Sequence, residues 1–444
     1  MNQAIILLSP EQAADPEAAF RSVGGLPLLV RTILSAHAAG IRAFHIVTDD
    51  ETIRRRLRDD PRLDALPVTV EGRIETEAPF LLLFADRIFS PDLLSHLLDE
   101  GEGPLTEGGI VIGIDRGHEG TPREGGLGLR LQGNRVTGLS DMSHPPDAVE
   151  VGAWLCPPGV SVHLGTAISP ATLLSSLLAS STCQVVDLTD IGLWAAVTTS
   201  ESAARATKRL LESCRKPVDG IISRHFNRHV SLWITSKLLD TPVRANHVTI
   251  VCFLLGVLDF FLLVQGKAWS LAVAGLLFQF ISILDGCDGE ISRIKFQQSK
   301  FGAWFDTTVD HSRYLLFLLG VGLHAKARGA EWIYHLSLAN LSGMAILVVM
   351  MYLLMIRMRQ GTGVAIAEEI RREATPAQRR RNLLLLLFKL QPLIKQDFTS
   401  FFFMLMALFQ CPAAIEVMSA LGIFFILLHV LRKLVLELLQ RGRV

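Results

Sequence analysis

Four aspartates, Asp285, Asp288, Asp306 and Asp310, lie against long apolar runs. A carboxylate inside or at the edge of a membrane-spanning segment is costly, so its presence there points to function. On a helix, Asp285 and Asp288 are three residues apart and Asp306 and Asp310 four apart, so each pair shares a face. Two such pairs facing one another make an oxygen-rich box, the donor set that hard divalent cations such as Mg²⁺ or Mn²⁺ prefer. Two cations held in such a box can clamp a diphosphate during in-line displacement. Gly289 and Gly302 leave room for backbone or substrate to approach, and Arg293 is placed to pair with a phosphate oxygen. A salt-bridge network with Arg293, Lys295 and Lys300 is the plainer reading, but it does not require glycine at those two positions.

The elements that position these acids differ from the rest of the chain. Over 444 residues the hydrophobic share is 50% and the charged share 19%, and the mean hydropathy is +0.37. Those values point to a partly membrane-embedded chain rather than an ordinary soluble enzyme. Beyond Asn246, the stretches 268–284, 332–356, 398–415 and 417–431 carry no Asp, Glu, Lys or Arg, and 247–266 carries only Asp259. Since about 20 apolar residues cross the hydrocarbon as a helix, these runs and a further one over 301–324 predict six spans. Lys and Arg collect before the first span, between the second and third, between the fourth and fifth, and in the tail (Arg432, Lys433, Arg441, Arg443). That asymmetry predicts that both termini are cytoplasmic. Residues 205–244 mix basic positions with Ile221, Phe226 and Trp233, the pattern of an interfacial amphipathic helix.

Residues 1–200 read instead as a cytosolic α/β domain. Apolar runs at 4–8, 43–48, 67–70, 80–84 and 109–114 are strand candidates, and a helix is expected over 28–39, ending at Gly40. Strand, helix, strand predicts a parallel open sheet. The first residues, Met1-Asn2-Gln3, supply no cationic signal region. Lys+Arg and Asp+Glu are each 43, so no protein-wide basic field exists for nucleic acid. The six cysteines show no zinc spacing and read as reduced thiols.

The stretch from Asp285 to Asp310 resembles the signature of the CDP-alcohol phosphatidyltransferases, D-x-x-D-G-x-x-A-R-x8-G-x-x-x-D-x-x-x-D. All spacings agree, and seven of the eight named letters agree, with Ser292 in place of Ala. The resemblance implies an all-α six-helix membrane enzyme, a homodimer with its active site open to the cytoplasm, which cleaves a CDP-linked alcohol donor, passes the phosphoryl-alcohol part to an acceptor hydroxyl and releases CMP. It implies further that Asp285, Asp288, Asp306 and Asp310 hold two divalent cations, that Asp310 also acts as base, and that Asn246, Asp285, Gly289, Ser292, Arg293 and Gly302 line the donor site. The family's Pro-Asn before the first span appears here as Ala245-Asn246. Arg357, Arg359 and Lys395 are candidates for an acceptor phosphate.

The run from Gly24 to Thr32, the strand ending at Asp86 and Gly152 to Cys156 resemble a sugar-nucleotide-type nucleotidyltransferase, a Rossmann-like fold. Its fusion to the membrane domain resembles the bifunctional inositol-1-phosphate cytidylyltransferase and di-myo-inositol phosphate phosphate synthase family. That implies an inositol-type donor and a polyol or polyol-phosphate acceptor, while a lipid donor with a phospholipid product stays open. In that family a glycine-rich basic loop follows the first strand. Here Leu8 is followed by Ser9-Pro10-Glu11-Gln12-Ala13-Ala14-Asp15-Pro16, and Pro27 lacks a neighbouring lysine. Such a loop repels a triphosphate, so the domain is expected to be degenerate. The expected organisation is 1–200 nucleotidyltransferase-like, 201–245 linker and interfacial helix, and 246–444 membrane domain. Two alternatives stand beside this reading: a bifunctional enzyme that also makes CDP-inositol, and an ion-coupled transporter using the acids as a path.

Overall fold

The computed structural model describes residues 1–444 apart from 74–75, 77, 107, 118–125, 141–144, 159–168, 216–218, 359–394 and 442–444 and the side chains of 180, 351–358 and 429–441. The chain forms two compact units, Met1–Ser213 and Cys214–Val444.

The first unit runs β1 (Gln3–Leu7), α1 (Pro10–Ala14), α2 (Pro16–Ala19), α3 (Leu28–Ala38), β2 (Ala43–Val47), α4 (Glu51–Arg58), β3 (Val68–Glu71), β4 (Phe80–Phe84), α5 (Pro91–Glu100), α6 (Glu102–Thr106), β5 (Ile110–Asp115), β6 (Gly128–Gln132), β7 (Arg135–Leu139), β8 (Ala148–Cys156), α7 (Pro170–Ser180), β9 (Cys183–Asp187) and α8 (Ser200–Ser213). These strands make one sheet in the order β3-β2-β1-β4-β8-β5-β9-β7-β6. The expected strands and the helix over 28–39 are all present, displaced by a residue or so at their ends. The parallel sheet is corrected to a mixed one: β1 to β4 run parallel, but β8 enters antiparallel between β4 and β5. All nine residues of β8 are buried. A strand buried on both faces has no polar side to give its direction away.

Two glycine features shape this unit. Gly24 (φ +58°) and Gly25 (φ +73°) turn a small hairpin between Ser22–Val23 and Leu26–Pro27, as a two-residue turn with both φ positive requires. Arg31 closes it from α3, donating to the carbonyls of Val23 (3.0 Å) and Gly24 (3.3 Å), and burial pushes its pKa down to about 9. Gly152 (φ +87°) sits at the register break of β8, where a Cβ would fall 2.5 Å from Cδ of Arg87.

The second unit begins with a π-helical turn (Ser223–Asn227) leading into α9 (Arg228–Leu238), followed by α10 (Ala245–Val264), α11 (Ala268–Ile294), α12 (Lys300–Ala327), α13 (Glu331–Met358), α14 (Gln396–Leu408) and α15 (Pro412–Arg441). Helices α10 to α13 fall on the first four expected runs, but the fifth, 398–415, is broken, α14 ending at Leu408 and α15 starting at Pro412, where proline opens a new helix; among the described residues α10, α11 and Glu331–Met350 of α13 are long and apolar enough to cross a membrane. Helix α12 is less apolar because Asp306, Asp310 and Arg313 lie in its first half. The core is an aromatic stack: Phe278 of α11 lies 4.0 Å from Phe317 of α12, and Phe317 lies 5.7 Å from Phe403 of α14, centroid to centroid. Large apolar side chains face outward, among them Leu254, Phe261, Leu276, Trp332, Ile346 and Phe424, as a lipid solvent allows and water does not. The linker expected over 201–245 is divided: Ala203 and Ala206 of α8 join the core of the first unit, while α9 belongs to the second.

Candidate active site

Three of the four carboxylates converge. One oxygen each of Asp285, Asp288 and Asp306 lies within 4.8 Å of the others, close enough to share a metal ion. Helix spacing explains it: Asp285 and Asp288 share a face near the end of α11, and Asp306 comes from the second turn of α12. Thr249 of α10 donates to Oδ2 of Asp288 (2.8 Å) and fixes that carboxylate's rotamer. Asp310 adjoins Asp285 and interacts with all three. Arg313, one turn further along α12, donates from Nη2 to Oδ1 of Asp310 (2.5 Å) and to Oδ1 of Asp285 (3.2 Å). Gly256 of α10 makes room for that guanidinium, since a Cβ there would lie 3.2 Å from Cγ of Arg313.

Beside the trio is a cavity of about 140 Å³ lined by Asn246, Asp288, Gly289, Ser292, Gly302 and Asp306, together with Thr249, Gln297 and Ser299. Gly302 brings the start of α12 close to Asn246: a Cβ there would lie 3.5 Å from the Asn246 Oδ1. Ala245, standing where the family has proline, keeps a backbone N–H, which Gln297 Oε1 accepts (3.1 Å), so the turn before α10 is held by a side chain instead of a ring. Arg293 sits behind Gly289, whose Cβ would lie 3.2 Å from Nη1. Its Nε and Nη2 are buried with no hydrogen-bond partner among the described residues. The same guanidinium is hydrogen-bonded with the Cys214 side chain. The chemistry of the trio, hard oxygen donors only, suits Mg²⁺ or Mn²⁺. A larger cavity of about 520 Å³, mostly apolar, adjoins Asp310, His311 and Arg313 and extends to Phe425 and Ile426 of α15.

Among the acceptor candidates, Arg359 and the side chain of Arg357 lie outside the described residues, and Lys395 caps the start of α14. Its neighbour Asp397 is spent on structure, accepting the N–H of Ser223 at 2.8 Å. Sequence reasoning missed Arg313 and Thr249. The first carried a readable signal, a cation three residues beyond Asp310 inside an apolar helix; the second carried none.

In the first unit, the segment expected as an acidic loop forms α1 and α2. Ser9 Oγ accepts the Gln12 N–H (3.4 Å) and Gln12 Oε1 accepts the Ser9 N–H (3.1 Å), a capping box, while Gln12 Nε2 donates to the Ala85 carbonyl (3.0 Å). Next to it, burial pushes the Asp86 carboxyl above its ordinary pKa; Arg87 opposes this, and Glu150 and Glu11 add to it. Arg87 is committed to Glu150 in an ion pair buried on both sides. Leu26 and Leu28, flanking Pro27, are both buried in the fold.

The CDP-alcohol phosphatidyltransferase family model matches residues 243–431. The bifunctional IPC transferase and DIPP synthase of Rubrobacter xylanophilus is 30% identical over 328 residues, covering 69% of this chain and 72% of that protein. That of Aquifex aeolicus is 27% identical over 341 residues, covering 72% of this chain and 75% of that protein. The solved inositol-1-phosphate CTP transferase from T. maritima covers 47% of this chain and 97% of its own at 16% identity and a TM-score of 0.36, a likeness too slight to argue from. Long apolar helices and a transferase family match together define a membrane-bound transferase. The chain belongs to the CDP-alcohol phosphatidyltransferase family.

Proposed function

We propose that the second unit transfers a phosphoryl-alcohol group from a CDP-linked alcohol to an acceptor hydroxyl and releases CMP, and that the first unit has lost cytidylyltransferase activity. The observation that carries this is the convergence of three carboxylates beside a small polar cavity that contains Asn246, Ser292 and both signature glycines. Asp285, Asp288, Asp306 and Asp310 would hold two divalent cations, Mg²⁺ or Mn²⁺, which when bound offset the diphosphate charge. Arg293, whose Nη1 stands behind Gly289, would bring its charge to a phosphate oxygen. Asn246 and Ser292 meet the cytidine end of the donor. Arg313 holds Oδ1 of Asp310, leaving Oδ2 to take the acceptor's proton.

The fusion architecture favours an inositol-type donor and a polyol or polyol-phosphate acceptor, and the bifunctional relatives agree with it. A second reading, an acceptor whose hydroxyl rides on an apolar body, is favoured by the apolar cavity on the far side of Asp310. The Lys/Arg asymmetry supports placement in the cell membrane with both termini cytoplasmic, and the family supports a homodimer in contact with membrane lipid. Purified full-length protein incubated with each CDP-alcohol and a panel of polyol, polyol-phosphate and lipid acceptors should release CMP with Mg²⁺ and not with chelator. No release with any pair overturns the reading.

A further inference from the structure

Helix α11 bears a fifth acid, Glu290, fully buried on the side away from the metal trio. At about 100° per residue it stands roughly 140° from Asp285 and 160° from Asp288 around the helix. A buried carboxylate must be paired, and α9 pairs it three times. Arg228 Nη1 and Ser231 Oγ donate to Oε1, and Thr235 Oγ1 donates to Oε2, each at 2.7 Å. Residues 228, 231 and 235 form one stripe of α9 at i, i+3 and i+7. Asp219 grips the other edge of the guanidinium at 2.9 and 3.0 Å. Burial works against the charge of Arg228, but Asp219 and Glu290 outweigh it and hold its pKa above the ordinary value. A second clamp lies five residues further along, where Lys295 Nζ donates to the carbonyls of Thr241 (2.9 Å) and Val243 (3.2 Å). Together these contacts fix the rotation of α11 about its own axis.

Resting on the metal-assisted reading above, we propose that Glu290 is a positioning residue: held by Arg228, Ser231 and Thr235, it sets the rotation of α11 and so the spacing of Asp285 and Asp288 against Asp306. Helix α9 is then part of the catalytic unit and not a connector. A rotation of 10–20° moves a carboxylate on the opposite face by on the order of 1–2 Å, beyond what a functional constellation tolerates.

Glu290→Gln risks misfolding, so the test uses Thr235→Val, which removes one hydrogen bond, with Thr235→Ser as the conservative control, in full-length protein in lipid nanodiscs. Mn²⁺ binding is followed by electron paramagnetic resonance, beside melting temperature and CMP release. Thr235→Val should raise the Mn²⁺ midpoint about 3–10-fold and lower kcat by a similar factor, leaving the donor KM at saturating metal within about 2-fold; Thr235→Ser should restore both. A Thr235→Val protein that only melts lower, with Mn²⁺ midpoint and kcat unchanged, overturns the proposal. Wild-type protein that binds no Mn²⁺ overturns it too. Wild-type protein that binds Mn²⁺ but releases no CMP sinks the transferase reading alone, and the Mn²⁺ midpoints still decide the role of Glu290.

Discussion

Both units carry an acid where a nucleotide-handling site would need one, Asp86 in the first and Asp285, Asp288 and Asp306 in the second, but their surroundings are opposite. Around Asp86 the neighbours are tied into the fold: Ser9 and Gln12 satisfy each other's backbone, Gln12 ties down Ala85, and Arg87 is buried against Glu150, while Asp86 Oδ1 and Arg87 Nε keep no hydrogen-bond partner among the described residues. Around Asp288, which Thr249 holds, a cavity opens beside the carboxylates and is lined by Asn246, Ser292, Gly289 and Gly302. A site able to bind a charged ligand needs open space beside its charged groups, and the carboxylates of the second unit have it.

The sharpest way to break this contrast is to remove one acid from each unit. Asp288→Asn should lower CMP release about 10⁴-fold and abolish its response to Mg²⁺, since a bound cation supplies several kcal/mol of transition-state stabilisation. Asp86→Asn should leave CMP release within about 2-fold of wild type. Equal losses would end the distinction. Asp310→Asn comes next, with kcat lowered by about 10²–10⁴ and donor binding by calorimetry retained; near-normal turnover removes that residue from the chemistry. Arg293→Gln should raise the donor KM about 10–100-fold, the worth of charge-assisted hydrogen bonds, and an unchanged KM would mean that its guanidinium meets no phosphate. The smallest effect belongs to the first unit. Ser9→Ala removes the cap of α1 and should cost about 1 kcal/mol in thermal unfolding of that unit, with CMP release unaltered.

What could be read in advance follows from how local each signal is. The aspartates were legible because charges inside apolar helices stand out, and i, i+3 and i, i+4 spacing fixes their shared face. The run 80–84 was legible as a strand because all five residues are apolar and buried. The antiparallel entry of β8 was not, because a fully buried strand looks the same from either end. The Glu290–Arg228 pair was invisible, since its members are 62 residues apart in different helices and no periodicity links them. Ser9-Pro10-Glu11-Gln12 was different: a capping box with proline at the first helical position was there to be read, and comparison with a phosphate loop obscured it.

On the function proposed above, one unit consumes a CDP-linked donor and the other no longer makes it. One reaction tests both halves: full-length protein with Mg²⁺, CTP, inositol 1-phosphate, CDP-inositol and a mixed panel of acceptors, followed by phosphorus NMR for CMP and pyrophosphate together. CMP should accumulate without pyrophosphate. Pyrophosphate appearing as fast as CMP, or in its place, would contradict it.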